Sequence, residues 1–205
     1  MPKKTSLAAN AISCRRGGRV LFERLSFALE PGESLLVIGP NGAGKTSLLR
    51  LIAGLLPLQA GSIEGGDASV PLPELCHYVG HLNGIKSALT LGENVSFWVD
   101  FLGGDGSGVQ SAYRMFGLAE LKDLPAGLLS AGQKRKLALL RLFAAPRPIW
   151  LLDEPSVSLD VSSVKVLDKA IAQHLAQGGI AVVASHVTLK VKFAQELALK
   201  LEPLT

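Results

Sequence analysis

Three short, mainly apolar runs stand out along the chain, each bounded by glycine or proline on at least one side. Runs of this kind predict strands buried on both faces, as in a parallel sheet. Apolar positions recur at helical spacing over 45–55 and again over 161–177, where Gly178 and Gly179 end the pattern. Strands alternating with helices predict an α/β fold on a mostly parallel sheet. The predicted strands are SLLVIG (34–39), PIWLLDEP (148–155) and GIAVVASH (179–186).

Other parts of the chain depart from this alternation. The first thirty residues predict two strands around a turn at Gly17–Gly18, forming a small antiparallel β flap. Residues 87–145 show helical patterns and glycine-rich turns with little strand signal, which indicates an inserted helical lobe. We therefore expect a single domain over 1–205. In it, 1–82 and 146–205 form the α/β core with its flap, and 83–145 form the helical lobe.

Composition narrows the class of protein. The 48% hydrophobic and 19% charged content excludes a disordered tail protein. No apolar run approaches the ~18 to 20 residues of a membrane-spanning helix, so we expect a soluble chain. The net charge of +4 is compatible with nucleic acid, anionic lipid or a phosphate-rich ligand and selects none of them. Cys14 and Cys76 are too few and too scattered for a disulfide framework, which predicts free thiols in a reducing compartment.

Residues 39–46, GPNGAGKT, match the pattern G-x-x-x-x-G-K-[ST] between a predicted strand and a predicted helix. The glycines let backbone N–H groups turn inward around phosphate oxygens, and the helix N-terminus adds its positive dipole end. Lys45 supplies a positive charge for the β- and γ-phosphates, and Thr46 offers a hydroxyl to Mg²⁺. The predicted nucleotide site comprises Gly39, Pro40, Asn41, Gly42, Ala43, Gly44, Lys45, Thr46 and Ser47.

Two adjacent carboxylates, Asp153 and Glu154, end the second predicted strand. Asp153 can hold Mg²⁺, directly or through water. Glu154 then lies where it could polarise a water aimed at the γ-phosphate. Beside a phosphate-binding loop, this pair predicts hydrolysis of the nucleotide as well as binding.

A second predicted helix begins within LSAGQ, the first residues of the segment 129–143, and continues as a basic amphipathic helix. Ser130 is a natural N-cap, and Gly132 keeps the backbone approachable. Such an N-terminus receives anions, although an ordinary helix cap explains the motif equally well when it is taken alone. Its position after the glycine loop and about twenty residues before Asp153 favours a role in the nucleotide site.

These motifs, in this order, resemble the nucleotide-binding subunits of ABC transporters from about residue 7 almost to the end. The family signature is usually LSGGQ, and here Ala131 replaces one glycine. SLD (158–160) resembles the family's D-loop, and His186 resembles its switch histidine, which contacts the γ-phosphate. The resemblance implies a P-loop NTPase of the ABC ATPase type that hydrolyses ATP with Mg²⁺.

The same resemblance implies roles for particular residues. Lys45, Glu154 and His186 would be catalytic, and Thr46 and Asp153 would hold the metal. In this family two copies pair head to tail, so each ATP lies between one glycine loop and the partner's signature. The ATP held by the other copy would therefore be bound by Ser130, Gly132 and Gln133.

Two positions depart from the family pattern. Arg16 falls where an aromatic residue usually stacks on adenine; a guanidinium plane can stack there too, but the departure puts base selectivity in doubt. His81, in the turn-rich stretch YVGHLNGIK (78–86), falls on the family's Q-loop glutamine. Two interpretations stay open for His81: a contact with the nucleotide and its Mg²⁺–water network, or a purely loop-shaping role.

The His81 stretch, LSAGQ and RPIWLLDEP together resemble the cytochrome c maturation (haem exporter) branch of the family. This resemblance implies a motor subunit that couples ATP hydrolysis to haem export, or to release of the haem-loaded chaperone CcmE. It also implies a CcmB-like integral membrane subunit and CcmC- and CcmE-like associated proteins. The location would be peripheral, on the cytoplasmic face of the bacterial inner membrane, with the mitochondrial inner membrane as the other home. An ABC transporter ATPase for another substrate is the alternative.

Two other classes are less well supported. ABC ATPases of DNA repair or translation normally carry coiled-coil insertions or tandem ATPase units, and this chain shows neither, so we expect no nucleic-acid partner. A non-catalytic nucleotide sensor is disfavoured because Lys45, Asp153 and Glu154 are all present.

Several residues receive structural interpretations. His77 and His174 are expected in turn or surface-helix contexts, so neither they nor His81 predict a haem ligand. Trp98 and Phe101 are expected in the core of the lobe or on a coupling surface. The KRK run at 134–136 is expected on a solvated helix face.

Overall fold

The computed structural model describes residues 5–66, 69–186 and 189–201, so the outer limits predicted for the domain, residues 1 and 205, lie outside the described residues. The strands are β1 (Leu7–Arg16), β2 (Arg19–Leu29), β3 (Ser34–Ile38), β4 (Ala60–Gly65), β5 (Cys76–Val79), β6 (Ile149–Asp153), β7 (Ile180–Ala184) and β8 (Gln195–Ala198). The α-helices are α1 (Lys45–Ile52), α2 (Leu91–Leu102), α3 (Val109–Met115), α4 (Ala131–Leu140) and α5 (Val161–Ala176). Within the described residues, no helix combines the length and the apolar character needed to cross a membrane.

The strands form two sheets. Five of them make a parallel sheet in the order β5-β6-β7-β3-β8. The other three make an antiparallel sheet in the order β2-β1-β4. The three strands predicted from apolar runs are the central strands β3, β6 and β7, and the predicted flap strands are β1 and β2. The α/β class, with a mostly parallel sheet and a small antiparallel flap, is therefore confirmed.

Side chains of the central strands alternate between two apolar clusters, one on each face of the parallel sheet. Ile149 and Leu151 of β6 belong to the cluster formed with α1 and the flap. Trp150 and Leu152 belong to the cluster formed with α2 to α5. Because both faces are covered, every residue of β6 and β7 is buried, which explains their nearly uninterrupted apolar sequences.

Three α-helices, α2, α3 and α4, lie within the range predicted for the helical lobe. The lobe boundaries at residues 83 and 145 stay a prediction. The helix expected over 45–55 is shorter, because α1 ends at Ile52 and Gly54 follows with a left-handed φ of +69°.

Two histidines lie in surroundings that differ from the expected ones. His77 is in β5, 2% exposed, and its Nε2 lies 2.7 Å from the carbonyl of Ala145. His174 is partly buried and stacks on Trp150, with ring centroids 4.0 Å apart. The turn or surface-helix context expected at His77 is therefore wrong, and His174 does lie on a helix, as expected, but is partly buried. Burial lowers the pKa of each histidine to about 4, so both rings are neutral at pH 7.

Both cysteines are buried free thiols, as predicted. Cys76 lies in β5 beside His77, and burial raises the pKa of its thiol to about 12. A thiol held in its protonated form is a poor nucleophile and a poor metal ligand, so Cys76 acts as a packing residue.

Candidate active site

The candidate site lies where four neighbouring strands of the parallel sheet end. The carboxyl end of β3 leads into the glycine loop, and that of β6 into Asp153 and Glu154. The end of β7 leads to His186, and the end of β5 leads to His81. Since these strands are adjacent and parallel, their carboxyl ends meet at one edge of the sheet, the usual position of a ligand site in such folds.

The glycine loop approaches its neighbours too closely for side chains at two positions. A Cβ at Gly39, where φ is +143°, would lie 2.3 Å from the carbonyl oxygen of Leu199. A Cβ at Gly44, where φ is +102°, would lie 3.1 Å from Leu21 and 3.2 Å from the ring of Phe22. Gly44 is also the N-cap of α1, so the loop delivers the helix N-terminus directly to the site.

Lys45 directs its ammonium group into the loop. Its Nζ donates to the carbonyls of Gly39 at 2.7 Å and Pro40 at 3.2 Å, and it lies 2.9 Å from Nε2 of His186. The side chain is buried, so its charge is concentrated inside the loop. A positive charge in this position is suited to the terminal phosphates of a nucleotide.

Thr46 and Asp153 bring two oxygen donors together. The Thr46 hydroxyl donates to Oδ2 of Asp153 at 2.9 Å, and the carboxylate is 2% exposed. No group of three or more His, Cys, Asp or Glu side chains within the described residues could hold a metal ion unaided. One carboxylate and one hydroxyl fit Mg²⁺, which is typically held by few protein ligands together with waters and substrate phosphates.

Glu154 occupies a conformation that few non-glycine residues adopt, with φ of +49°. Its N–H donates to the carbonyl of Ala184, and its Oε2 accepts from the N–H of His186. The other oxygen, Oε1, is buried 3.5 Å from Nε2 of His186 and has no hydrogen-bond partner among the described residues. A carboxylate oxygen left unbonded in this way is suited to accept a proton from a water molecule.

The side chains described above surround one cleft of about 560 Å³. His81 is exposed and lines the cleft, so the structure brings it to the site predicted for it. Asn41 also lines the cleft, and its Oδ1 lies 3.0 Å from Nε2 of His186. The cleft is lined by Leu21, Asn41, Gly42, Gly44, Lys45, Thr46, Ser47, His81, Asp153, Glu154, Val157 and His186.

The LSAGQ residues are not brought into this cleft. As far as the described residues go, its lining includes none of Ser130, Gly132 and Gln133. Ser130 caps α4: its Oγ accepts from the N–H of Gln133, and the Gln133 side chain accepts from the N–H of Ser130. A Cβ at Gly132 would lie 2.9 Å from the carbonyl of Ser158, so α4 begins in close contact with the SLD segment.

Arg16 is exposed at the end of β1, and in the part of the chain that the structure describes it does not line the cleft. Leu21 of β2 lines the cleft instead, beside Gly44. The proposed stacking of Arg16 on a base stays a prediction. Leu21 carries no sequence signal of its own, because an apolar residue in a predicted strand is expected wherever the strand packs.

Arg135 is the residue near the site that sequence analysis interpreted wrongly. It is the middle residue of the KRK run, expected on a solvated face, yet it is only 3% exposed. Its guanidinium donates to the backbone of two segments beside the cleft, including the carbonyls of Asp153 and Glu154. Its charge favoured a solvated position, and the acceptors that surround its buried guanidinium come from distant parts of the chain.

Comparisons with known proteins identify the family. A family model describing ABC transporters matches residues 22–157. The cytochrome c biogenesis ATP-binding export protein CcmA of Nitrobacter winogradskyi is 51% identical, covering 93% of this chain and 96% of the relative. The CcmA protein of Bradyrhizobium diazoefficiens is 48% identical, covering 90% of this chain and 94% of the relative. A putative ABC transporter ATP-binding protein of Pyrococcus furiosus has the same fold, with a TM-score of 0.81 at 23% identity over 95% of this chain and 97% of that one.

The fold and the site define a P-loop ATPase. The chain belongs to the ABC transporter family as an ATP-binding subunit with ATPase activity, and within that family it groups with the CcmA proteins of cytochrome c biogenesis.

Proposed function

We propose that the cleft hydrolyses ATP as its magnesium complex. Lys45 and the N–H groups of the glycine loop bind the β- and γ-phosphates, and Thr46 and Asp153 hold Mg²⁺. The metal would neutralise phosphate charge as the γ-phosphoryl group leaves. Glu154 polarises the attacking water, and His186 contacts the γ-phosphate.

The proposal rests on two features that lie together at one edge of the sheet: oxygen donors for a metal ion, and a carboxylate that can accept a proton. The contact between Thr46 and Asp153 supplies oxygen donors for a metal. The neighbouring Glu154 offers an unbonded carboxylate oxygen beside His186. Binding of a nucleotide alone would need the loop and the metal ligands, whereas a carboxylate with one buried, unbonded oxygen is suited to taking a proton from water.

We propose further that ATP hydrolysis by this chain serves cytochrome c maturation at the cytoplasmic face of a bacterial inner membrane. The work done would be haem export or release of a haem-loaded CcmE-like chaperone. Support comes from identities near 50% over most of the chain to relatives named as cytochrome c biogenesis ATP-binding export proteins. An ABC transporter ATPase acting on another substrate is the second candidate.

The experiment that tests this role is deletion of the gene followed by complementation. We expect the deletion strain to accumulate c-type cytochromes without covalently bound haem, detected by haem staining of membrane proteins. Wild-type protein should restore haem attachment, and the Lys45→Ala variant should not. Normal holocytochrome c in the deletion strain would refute the maturation role and leave the ATPase with another substrate.

A CcmB-like membrane subunit would need a docking surface, and we propose that it contacts an aromatic patch on α2, formed by Phe97, Trp98 and Phe101. The three rings lie within 5.4 to 5.9 Å of one another. Phe101 is 69% exposed, so its expected place in the core of the lobe is wrong and the coupling-surface interpretation stays. Exposed aromatic clusters of this kind are favoured at protein interfaces.

Co-purification tests this docking surface. Phe101→Asp should reduce recovery of an integral membrane subunit with the tagged chain by about tenfold, since a charge would be buried against an apolar partner. Leu55→Asp is the matched control, because Leu55 is 58% exposed outside the patch. Equal recovery with both variants would argue against the patch.

The second partner in this proposal is another copy of the chain, arranged head to tail. Ser130, Gly132 and Gln133 would then reach the ATP held by the other copy. Their position outside their own cleft supports this arrangement, because a role in ATP binding then requires a second subunit. No nucleic acid has a part in the proposal.

A further inference from the structure

Arg135 uses every N–H of its guanidinium group. Nε donates to the carbonyl of Pro155 at 3.1 Å. Nη1 donates to the carbonyl of Gly80 at 2.8 Å and to Oδ1 of Asn83 at 3.0 Å. Nη2 donates to the carbonyls of Asp153 at 2.8 Å and Glu154 at 2.9 Å. Five donors therefore meet five acceptors, which is the full capacity of an arginine side chain.

The acceptors belong to two segments that are far apart in sequence. Gly80 and Asn83 flank His81, in the loop that follows β5. Asp153, Glu154 and Pro155 form the turn that carries the proposed water-polarising carboxylate. One rigid, planar group thus fixes the distance between the His81 loop and the Glu154 turn, and both His81 and Glu154 line the cleft.

The chemistry of this contact is not that of an ion pair. All five acceptors are uncharged, being four backbone carbonyls and one side-chain amide. Burial lowers the pKa of the Arg135 guanidinium, while the nearby charges of Asp153 and Glu154 act in the opposite direction. Burying a cation without a bonded carboxylate is costly, and here five hydrogen bonds to two distant segments offset that cost.

We propose that Arg135 is a positioning residue for ATP hydrolysis, holding the Glu154 turn and the His81 loop at a fixed distance from each other. The proposal rests on the proposed role of Glu154. Arg135 does not line the cleft or touch the reacting atoms, so it acts through the backbone that it binds. Removing it shifts Glu154 relative to the γ-phosphate and leaves the glycine loop, which binds the phosphates, in place.

A second arginine also anchors the His81 loop. Arg141, six residues further along the chain and just after α4, contacts the carbonyls of Tyr78 and Asn83 and stacks on Trp98 with its Cζ 4.1 Å from the ring centroid. The His81 loop therefore keeps an anchor when Arg135 is replaced. This makes a folded Arg135 variant attainable and confines its defect to the link with the Glu154 turn.

The test compares Arg135→Gln with Arg114→Gln, the same substitution at an exposed arginine of α3. For the full-length protein we expect Arg135→Gln to lower kcat about tenfold to a hundredfold, the cost of misplacing a reacting group by about an ångström. The KM for ATP and the Kd of a fluorescent ATP analogue should stay within about twofold of wild type, because the glycine loop is untouched. Arg114→Gln should leave kcat and KM unchanged.

Two further variants separate positioning from simple folding. Arg135→Lys keeps the charge but offers three donors from a single atom, so it should restore kcat only in part. Asn83→Ala removes one acceptor with Arg135 intact, and it should lower kcat by a smaller factor with the Kd unchanged. If Arg135→Gln fails to fold, Asn83→Ala decides alone, and an unchanged kcat overturns the proposal.

The remaining outcomes are also decisive. A kcat within twofold of wild type for Arg135→Gln overturns the proposal, and so does a loss of ATP binding that matches the loss of turnover. Glu154→Gln is assayed in parallel. Wild-type turnover by that variant would mean that the proposed role of Glu154 is wrong, whereas a dead Glu154→Gln beside an active Arg135→Gln would mean that only the positioning role is wrong.

Discussion

The backbone of Glu154 is held in the left-handed region, at a cost of about 1 to 3 kcal/mol for a residue with a side chain. The conformation persists because the surrounding contacts fix it: the N–H of Glu154 bonds to Ala184, its carbonyl to Arg135, and its Oε2 to the N–H of His186. These bonds turn Oε1 inward beside His186, where no described residue bonds it. The residue with the strained backbone is therefore the one that carries Oε1, the atom to which we assign proton transfer.

Glu154→Gln keeps the size of the side chain and removes its ability to take a proton. We expect ATP binding to persist and turnover to fall by about a hundredfold or more. With ATP bound but not cleaved, the protein should accumulate as the head-to-tail dimer, seen by size-exclusion chromatography with and without ATP. A monomer with rapid phosphate release would contradict both the role of Glu154 and the dimer.

Lys45→Ala removes the buried charge inside the glycine loop. Three contacts hold the Lys45 ammonium in place inside the loop. We expect phosphate release to fall by about a hundredfold or more. The matched control is Lys169→Ala, an exposed lysine on α5, which should behave as wild type. Normal turnover in Lys45→Ala would rule out the phosphate-binding assignment.

At the scale of elements, α2 carries the aromatic patch and depends on its N-terminal cap. Thr90 accepts from the N–H of Glu93, and the Glu93 carboxylate accepts from the N–H of Thr90. Thr90→Ala should lower the free energy of unfolding by about 1 kcal/mol, measured by urea denaturation, because one helix N–H loses its partner. Thr90→Ser retains the hydroxyl and should stay close to wild type; an equal loss in both variants would argue against the cap.

The elements also show what sequence could predict and what it could not. The glycine loop and the Asp153–Glu154 pair were predictable because each motif contains its own geometry within a few residues. Strands β4 and β8 were not predicted because they are short and partly polar. Their pairing with β1 and β3 holds them as strands. The burial of Arg135 could not be predicted, because it depends on acceptors from two distant segments that no local sequence pattern reveals.

At the scale of the whole molecule, the buried His77 and the partly buried His174 hold the segment that returns from α4 to the parallel sheet. His77 of β5 bonds to the carbonyl of Ala145, and His174 of α5 lies 3.2 Å from the carbonyls of Pro148 and Ile180. His174 is fitted closely, since a Cβ at Gly179 would come within 2.3 Å of its ring. Both rings are held neutral, so protonation of either one opposes the folded state.

This arrangement predicts acid sensitivity. In the folded protein the pKa of both His77 and His174 is lowered to about 4, against 6.5 in the unfolded chain. Between these values the unfolded chain binds protons that the folded protein does not, so the free energy of unfolding falls as the pH drops from about 6.5 to about 4. Each histidine contributes a slope of up to about 1.4 kcal/mol per pH unit.

Urea denaturation between pH 7 and pH 5, above the range where carboxylates ordinarily titrate, measures this slope. His77→Gln cannot titrate, so its free energy of unfolding is expected to depend on pH about half as steeply as that of wild type, even though the variant is less stable at pH 7. Since His174 remains in that variant, the double replacement with His174→Gln should flatten the dependence further. An unchanged slope in both variants would mean that other groups carry the acid sensitivity of the fold.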